Sequence, residues 1–398
     1  MDADVLIAGG GPVGLYLAAA LLQEGVKVKV LEQRTSRNRH TRAIGIHPPA
    51  LEALAGIRVA SGLVQEGIRI RTGMAVSGGR TVGTMAFDAV SDHYPFVLAL
   101  PQFRTEELLE DRVRALDPGA LVRGANVTGA RDDGDKVTVT VQSSPGATIL
   151  GSGHGSTATA ALLVAADGAR SLLRGALGVP VDRKSYPDHY LMGDFDDGSG
   201  YGEKAVLFLE PEGIVESFPL PGRVRRWVVR LDRPAQPEAG PRELAELVHS
   251  RTGFLPDAAT NSMLSAFSVR AAIARRMVAG RTVLLGDAAH EISPIGGQGM
   301  NLGWLDAAEL VPVICSALAG ESTGTRLREF EKSRRRAAAA SRRQAEINMM
   351  LGRPLPRPLL RVRTAAIGAA AAIPGVNQWA ARRFTMHQRT NPQLQGYR

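Results

Sequence analysis

Few residues in this chain stand where type and spacing together suggest chemistry. Near the start, VLIAGGGPVGLYLAAALL places Gly9, Gly11 and Gly14 at G-x-G-x-x-G spacing, with Pro12 and Val13 inside the motif. Glycines so spaced permit a tight turn and let backbone approach a pyrophosphate, whose charge then sits at the positive start of a helix. Glu32 follows 18 residues after Gly14, ahead of Gln33 and Arg34. A carboxylate there accepts hydrogen bonds from an adenosine ribose and disfavours a 2′-phosphate, so NADP is not expected in this site while NAD and FAD remain. Far along the chain, GDAAHEISPIGGQGMN (286–301) offers Gly286 and Asp287, then a loop with Pro294, Gly297 and Gly299 leading to Met300 and Asn301. Cys315 is the single cysteine. Internal disulfides, C-x-x-C redox pairs and cysteine-based zinc clusters are thereby excluded, no metal site is expected, and redox chemistry must come from a bound cofactor.

The surrounding patterns supply elements to hold these residues. ADVLIAG (3–9) reads as a buried parallel strand, PVGLYLAAALLQEG (12–25) as a helix ending at Gly25, and VKVKVLEQR (26–34) as a second strand. Strand, glycine turn, helix and strand within about thirty residues make the dinucleotide reading strong. TVLLG (282–286) reads as another buried strand, which puts Asp287 in the crevice at the carboxyl end of a parallel sheet. A helix is expected to begin near Met300 and run through Val311. A nicotinamide dehydrogenase has no need of such a helix start. A flavin does, because its reduced ring carries negative charge that free amides stabilise.

These segments, with AADGARSLLR (165–174) between them, resemble the class A flavoprotein monooxygenases of the para-hydroxybenzoate hydroxylase type, over most of residues 1–320. The resemblance implies one FAD held by all three motifs. It implies that Asp287 binds the ribityl chain, and that Gly299, Met300 and Asn301 offer backbone to the flavin pyrimidine edge. Asp167 and Gly168 belong to the motif used near the FAD pyrophosphate and NAD(P)H, and Arg42 and Gln102 match positions on the pyrophosphate or ribityl side. The implied reaction is hydroxylation of an aromatic or polyketide-like molecule: NAD(P)H reduces FAD as a transient donor, O2 adds at flavin C4a, and the hydroperoxide passes on one oxygen. Baeyer-Villiger oxygenation and a structural, non-redox use of FAD, as in assisted cyclisation, are alternatives on the same fold, with a non-enzymatic, chaperone-like relative ranked last because it would not need the intact flavin loop 294–301. No catalytic side-chain base is identifiable, and His290 is expected to shape its loop. The halogenase W-x-W-x-I motif is missing, since Trp227, Trp304 and Trp379 stand far apart.

The implied fold class is α/β: a Rossmann-like FAD-binding domain from residues 1–75, 96–176 and 271–320, an antiparallel-sheet substrate domain from 76–95 and 177–270, and a helical, basic C-terminal segment, 321–398. The strand-like runs AVLFLEP, IVESFPLPG and RRWVVRLD carry the sheet, and Phe218 and Trp227 within them read as core or pocket wall. The glycine cluster at 147–168 reads as a hairpin turn rather than a second nucleotide site. Of the net charge of +9, the tail from Glu321 carries +12, with 16 Lys and Arg against 4 Asp and Glu, leaving −3 for the first 320 residues. Its arginines read as a solvated helical face paired with the body, and 364–381 as a docking helix pair. Neither nucleic-acid motifs nor a spanning segment is found, a cytoplasmic enzyme is expected, and the thioredoxin-like C-terminal domain of larger phenol hydroxylases is not expected.

Overall fold

The computed structural model describes residues 1–37, 43–144 and 155–387. A first sheet has a parallel centre: β10 (Thr282–Leu284), β4 (Gly155–Ala165), β1 (Ala3–Ala8), β2 (Val28–Glu32) and β3 (Leu121–Arg123), side by side in that order. Val5, Leu6 and Ile7 are fully buried, as expected of a strand covered on both faces. Helix α1 (Pro12–Gln23) starts from the glycine turn and packs against α2 (Gln102–Leu116) and α4 (Gln298–Leu318). Strand Val137–Ser143 pairs antiparallel with β4, Gln142 opposite Gly155, as a hairpin requires. The glycine-rich residues of the connection itself lie outside those described.

A second, eight-stranded sheet contains β5 (Val181–Asp196), β6 (Ala205–Phe208), β7 (Val215–Leu220), β8 (Val224–Leu231) and β9 (Met263–Ala274). It is antiparallel except for one pair, β6 running parallel to Thr72–Ser77, one strand in from the edge. That strand and β9 both cross the expected boundaries at residues 76 and 270, because each pairs along most of its length with this sheet. One face is covered by α3 (Pro241–Thr252), whose Leu244 and Val248 pack with Phe208, Val215 and fully buried Trp227. Trp227 is therefore core, stacked between Phe208 and Phe254.

The tail folds back on the body. Helix α5 (Gly324–Gly352) is followed by α6 (Arg357–Ala372) and α7 (Pro374–Phe384), bent 101° from each other and packed on strand Arg80–Ala86. Its arginines do pair with the body, but not all are solvated: Arg334 is buried and bound to Asp306 and Glu309 of α4. α4 is apolar and long enough to cross a membrane, yet Trp304, Ala307 and Leu310 are fully buried in the core beside the first sheet.

Candidate active site

The glycine turn is fixed by two close approaches. A Cβ on Gly9, whose φ is +108°, would lie 2.3 Å from the Ala166 carbonyl oxygen, and one on Gly14 would lie 2.0 Å from that of Gly9. At Gly11, the N-cap of α1, a Cβ would meet nothing within 4 Å. Packing thus dictates the outer glycines, while the middle one faces open room at the helix start. Pro12 occupies the first helical position, where its missing N–H is no loss, and its carbonyl accepts the indole N–H of Trp304 at 3.0 Å.

Glu32 is 3% exposed. Its carboxylate accepts from Gly10 N at 2.7 Å, Arg34 N at 2.8 Å and Arg34 Nε at 2.8 Å. Burial opposes its charge, but these donors outweigh burial and hold it below the usual carboxylate range. Two carboxylate oxygens offer about four acceptor sites; Oε2 takes Gly10 N and, at 3.4 Å, Arg34 Nη2, so a ribose hydroxyl would replace that long, weak contact. Gln33 and Arg34 line a shallow depression beside it with Thr35, Ser36, Arg37 and Ser144. Arg42 lies outside the described residues.

Asp167, at the end of β4, stands against Gly9 and accepts from Leu173 N at 3.2 Å, while its Oδ1 is buried without a partner. Gly168, at φ +82°, turns the chain away. Gly286 approaches Val13: its Cβ would lie 3.2 Å from that side chain, and the Cβ of Gly303 on α4 only 2.5 Å from it. Val13 is thereby wedged between the first and third motifs. Asp287 is exposed, yet desolvation by surrounding protein pushes its pKa up to about 6. That combination belongs to a carboxyl on the floor of a concave cleft.

Helix α4 begins at Gln298, two residues earlier than expected, because Gly297 supplies a left-handed N-cap at φ +64°. Gly299 is therefore inside the first turn, whose amides have no intrahelical acceptor, and its missing side chain again faces open room. Pro294 is exposed at the loop's tip, and Met300 packs against the core. Asn301 is fully buried; its side chain accepts from His47 N at 2.8 Å and donates to Gly45 O at 2.9 Å and Gly297 O at 2.7 Å. Only its backbone is left for a ligand. Gln102 starts α2 and turns its amide to Glu106 at 2.7 Å, and Arg104 forms a surface ion pair with Glu66. The structure thus brings together the glycine turn, Asp167, Gly286 and Asp287, and the α4 start, with the Gln102 side chain turned aside.

A family model described as "FAD binding domain" matches residues 2–345. The chain belongs to this family. It is 32% identical to the 12-dehydrotetracycline 5-monooxygenase/anhydrotetracycline 6-monooxygenase of Streptomyces rimosus, over 90% of this chain and 71% of that protein. The solved p-nitrophenol 4-monooxygenase PnpA of Pseudomonas putida superposes with a TM-score of 0.86 at 25% identity, over 98% of this chain and 99% of that one. A dialkyldecalin synthase of Streptomyces rugosporus is 30% identical, over 89% of this chain and 74% of it. The chain is an FAD-dependent monooxygenase, with NAD(P)H as the usual electron donor of its relatives.

The residues present fit FAD. The room over Gly11, the unpartnered Asp167 Oδ1 and the exposed yet desolvated Asp287 lie along one crevice at the carboxyl ends of the parallel strands. Sequence reasoning missed the residues that brace this FAD-binding site. Arg174 donates to Ala288 O at 2.9 Å and Ala169 O at 3.0 Å, joining the second motif to the third. His47 is buried, with Nε2 3.2 Å from Gly296 O, and desolvation lowers its pKa to about 4, so it is neutral. Phe384 of α7 stands edge-on to His47 and stacks on Phe87, and its carbonyl accepts from Gln298 Nε2. His290 is structural: its Nε2 binds Asp306, which Arg334 of α5 also holds. Burial opposes the His290 charge, but Asp306 outweighs it and raises the imidazole. Arg174 closes the AADGARSLLR segment and His47 precedes Pro48, but nothing local in the sequence marked either of them, or Phe384, as a brace.

Proposed function

We propose that this flavoprotein hydroxylates an aromatic or polyketide-like small molecule held between the loop 293–298 and the tail-facing side of the second sheet. The supporting observation is that Ile295 of that loop packs in one cluster with Tyr190, Met192 and Val228 of the sheet, directly before the amides that start α4. FAD, when bound, supplies electron transfer from NAD(P)H and activation of O2, which no side chain here provides. The chain's own part is to bind, orient and keep dry. Val13, Gly14 and the α1 start receive the pyrophosphate, Glu32 the ribose and Asp287 the ribityl chain. The first-turn amides of Gly299 to Asn301 face the pyrimidine edge and favour negative charge there. Asn301 and His47 hold the loop carrying those amides, and the apolar sheet face excludes water from the reacting position. We place the reaction in the cytoplasm, where NAD(P)H is available.

The test is anaerobic mixing of the purified yellow protein with NADH and with NADPH, with and without candidate aromatics, followed by air. Aromatic-stimulated reduction and a product heavier by one oxygen are expected. An FAD-replete protein that changes an added polyene without consuming NAD(P)H would instead favour the synthase-like use of the fold, of which one relative is an example.

A further inference from the structure

Side chains alternate along β7. Val215 and Ser217 are fully buried on the side of α3, with Val215 in the Trp227 cluster, so Glu216 and Phe218 point to the opposite face. There Glu216 sits between Leu207 of β6 and Val228 of β8, on the face that packs with Ile295 of the flavin loop and with Met349 and Leu360 of the tail. It is 8% exposed.

Its neighbours in charge are all satisfied. Asp194 is held bidentately by Arg226, at 2.6 and 2.8 Å. Asp188 is bound by Arg230 and by Arg353, the latter at 2.7 Å. Even Glu210 accepts from Gly78 N at 2.9 Å. Among the described residues Glu216 is the one buried carboxyl with neither a hydrogen bond nor an ion pair. On the same face, the Tyr190 hydroxyl is also sealed without a partner, and Glu216 lies near enough for its charge to help raise that phenol's pKa. Two unpartnered polar groups in apolar surroundings are costly to keep unless a ligand completes them.

We propose that Glu216, with Tyr190 beside it, is a substrate-selecting subsite: its carboxyl accepts a hydrogen bond from a hydroxyl of an uncharged hydroxyaromatic substrate and turns away substrates that carry a carboxylate. This rests on the hydroxylase reading above. Burial pushes Glu216 up to about 7, with no neighbouring charge contributing, so above neutral pH it presents an unshielded negative charge to whatever enters. A carboxylated ligand then meets like charge in low dielectric, while a phenolic O–H finds the acceptor it needs.

The probes are 2-naphthol and 3-hydroxy-2-naphthoate, which share a ring and differ by a carboxylate. Both are titrated into FAD-loaded protein at about pH 8, where the carboxyl is ionised, and read by the change in flavin absorbance. The wild-type protein is expected to bind 2-naphthol at least about tenfold more tightly. Glu216→Gln keeps size and an acceptor but removes the charge, so 2-naphthol affinity should hold within about threefold while the ratio falls toward unity. Glu216→Leu should lose about tenfold in 2-naphthol affinity without a lower melting temperature, since an unpartnered carboxyl has been removed. Equal binding of the two probes by wild type, no binding of 2-naphthol at millimolar concentration, an unchanged ratio in Glu216→Gln, or a lowered melting temperature in Glu216→Leu each overturns the subsite. Aromatic-stimulated NAD(P)H oxidation is measured separately. Its absence with the selectivity intact defeats the hydroxylase reading alone, and its presence without the selectivity defeats the subsite alone.

Discussion

At Glu32 one carboxylate closes the turn through Gly10 N, and in the proposed site it also receives the adenosine ribose. Glu32→Lys removes both and sets a cation beside Arg34. FAD affinity should fall by roughly ten- to a hundredfold, the worth of one charged hydrogen bond of about 1.5–3 kcal/mol; FAD titration of refolded protein checks it, and unchanged affinity would remove Glu32 from the site. Because its folded pKa is depressed, Glu32 contributes stability above its unfolded value of 4.5 that is lost as pH falls below it. Asp287 and Glu216 act in the opposite sense. Their folded pKa values are raised, to about 6 and about 7, so the folded state holds its protons longer. Their contribution is present below the unfolded values of 3.8 and 4.5 and is lost as pH rises through 6 and 7. No charged group acts on Glu216 itself, while the Tyr190 phenol beside it also feels Asp188 of β5, which is paired with both Arg230 of β8 and Arg353 after α5. FAD-free protein should therefore melt lower at pH 8 than at pH 5, and Glu216→Gln should flatten that slope; an identical slope in the variant would place another group behind it.

At the scale of elements, α4 is held at both ends of its first three turns. Asn301 clamps its start to Gly45 and His47, and Asp306 anchors it to His290 and Arg334. Arg334→Met keeps the stem and leaves Asp306 and Glu309 without the guanidinium, which should cost roughly 3–5 kcal/mol, the usual penalty for breaking a buried ion pair from one side. Denaturant unfolding measures it; a loss below 1 kcal/mol, about a surface pair's worth, would show the network relaxing into water. Gly299→Pro tests the amides instead. Proline is tolerated in a first helical turn, so the fold should survive while one N–H toward the pyrimidine edge is lost. The flavin reduction potential should drop, as read by spectroelectrochemistry. A folded, FAD-bound variant with an unchanged potential would move the active site away from this helix start.

In the molecule as a whole, the basic tail is part of the site's frame. α5 sets Asn348 and Met349 on the loop 293–296, and α7 brings Phe384 against His47 and Gln298. Phe384→Ala removes the ring that braces His47 and Phe87. Since the ring is only partly buried, the loss should stay below the roughly 3–5 kcal/mol of a fully buried phenylalanine. FAD release, followed by recovery of flavin fluorescence on dilution, should become faster along with a lower melting temperature. A lower melting temperature with unaltered release would make α7 a packing element only.

What was legible in the sequence was local. Near-continuous apolar runs gave β1 and β10, the spacing of glycines gave the turn before α1, and Glu32 and Asp287 could be placed because Glu32 ends the strand that follows α1 and Asp287 comes just after the buried run of β10. The start of α4 was missed by two residues because its cap is a glycine at positive φ rather than a side chain. Alternation along VESFPL marked two faces of β7 but not which one α3 would cover, so Glu216 and Ser217 were indistinguishable until α3 was seen to pack on Val215. Likewise nothing within MHQRT or QWAARRF announces that Phe384 meets His47, more than three hundred residues earlier. Backbone preference and periodicity act over a few residues and are written in the chain. Which faces are joined, which charges are buried and which carboxyl is left unpartnered follow from long-range packing, and only the tertiary structure decides those.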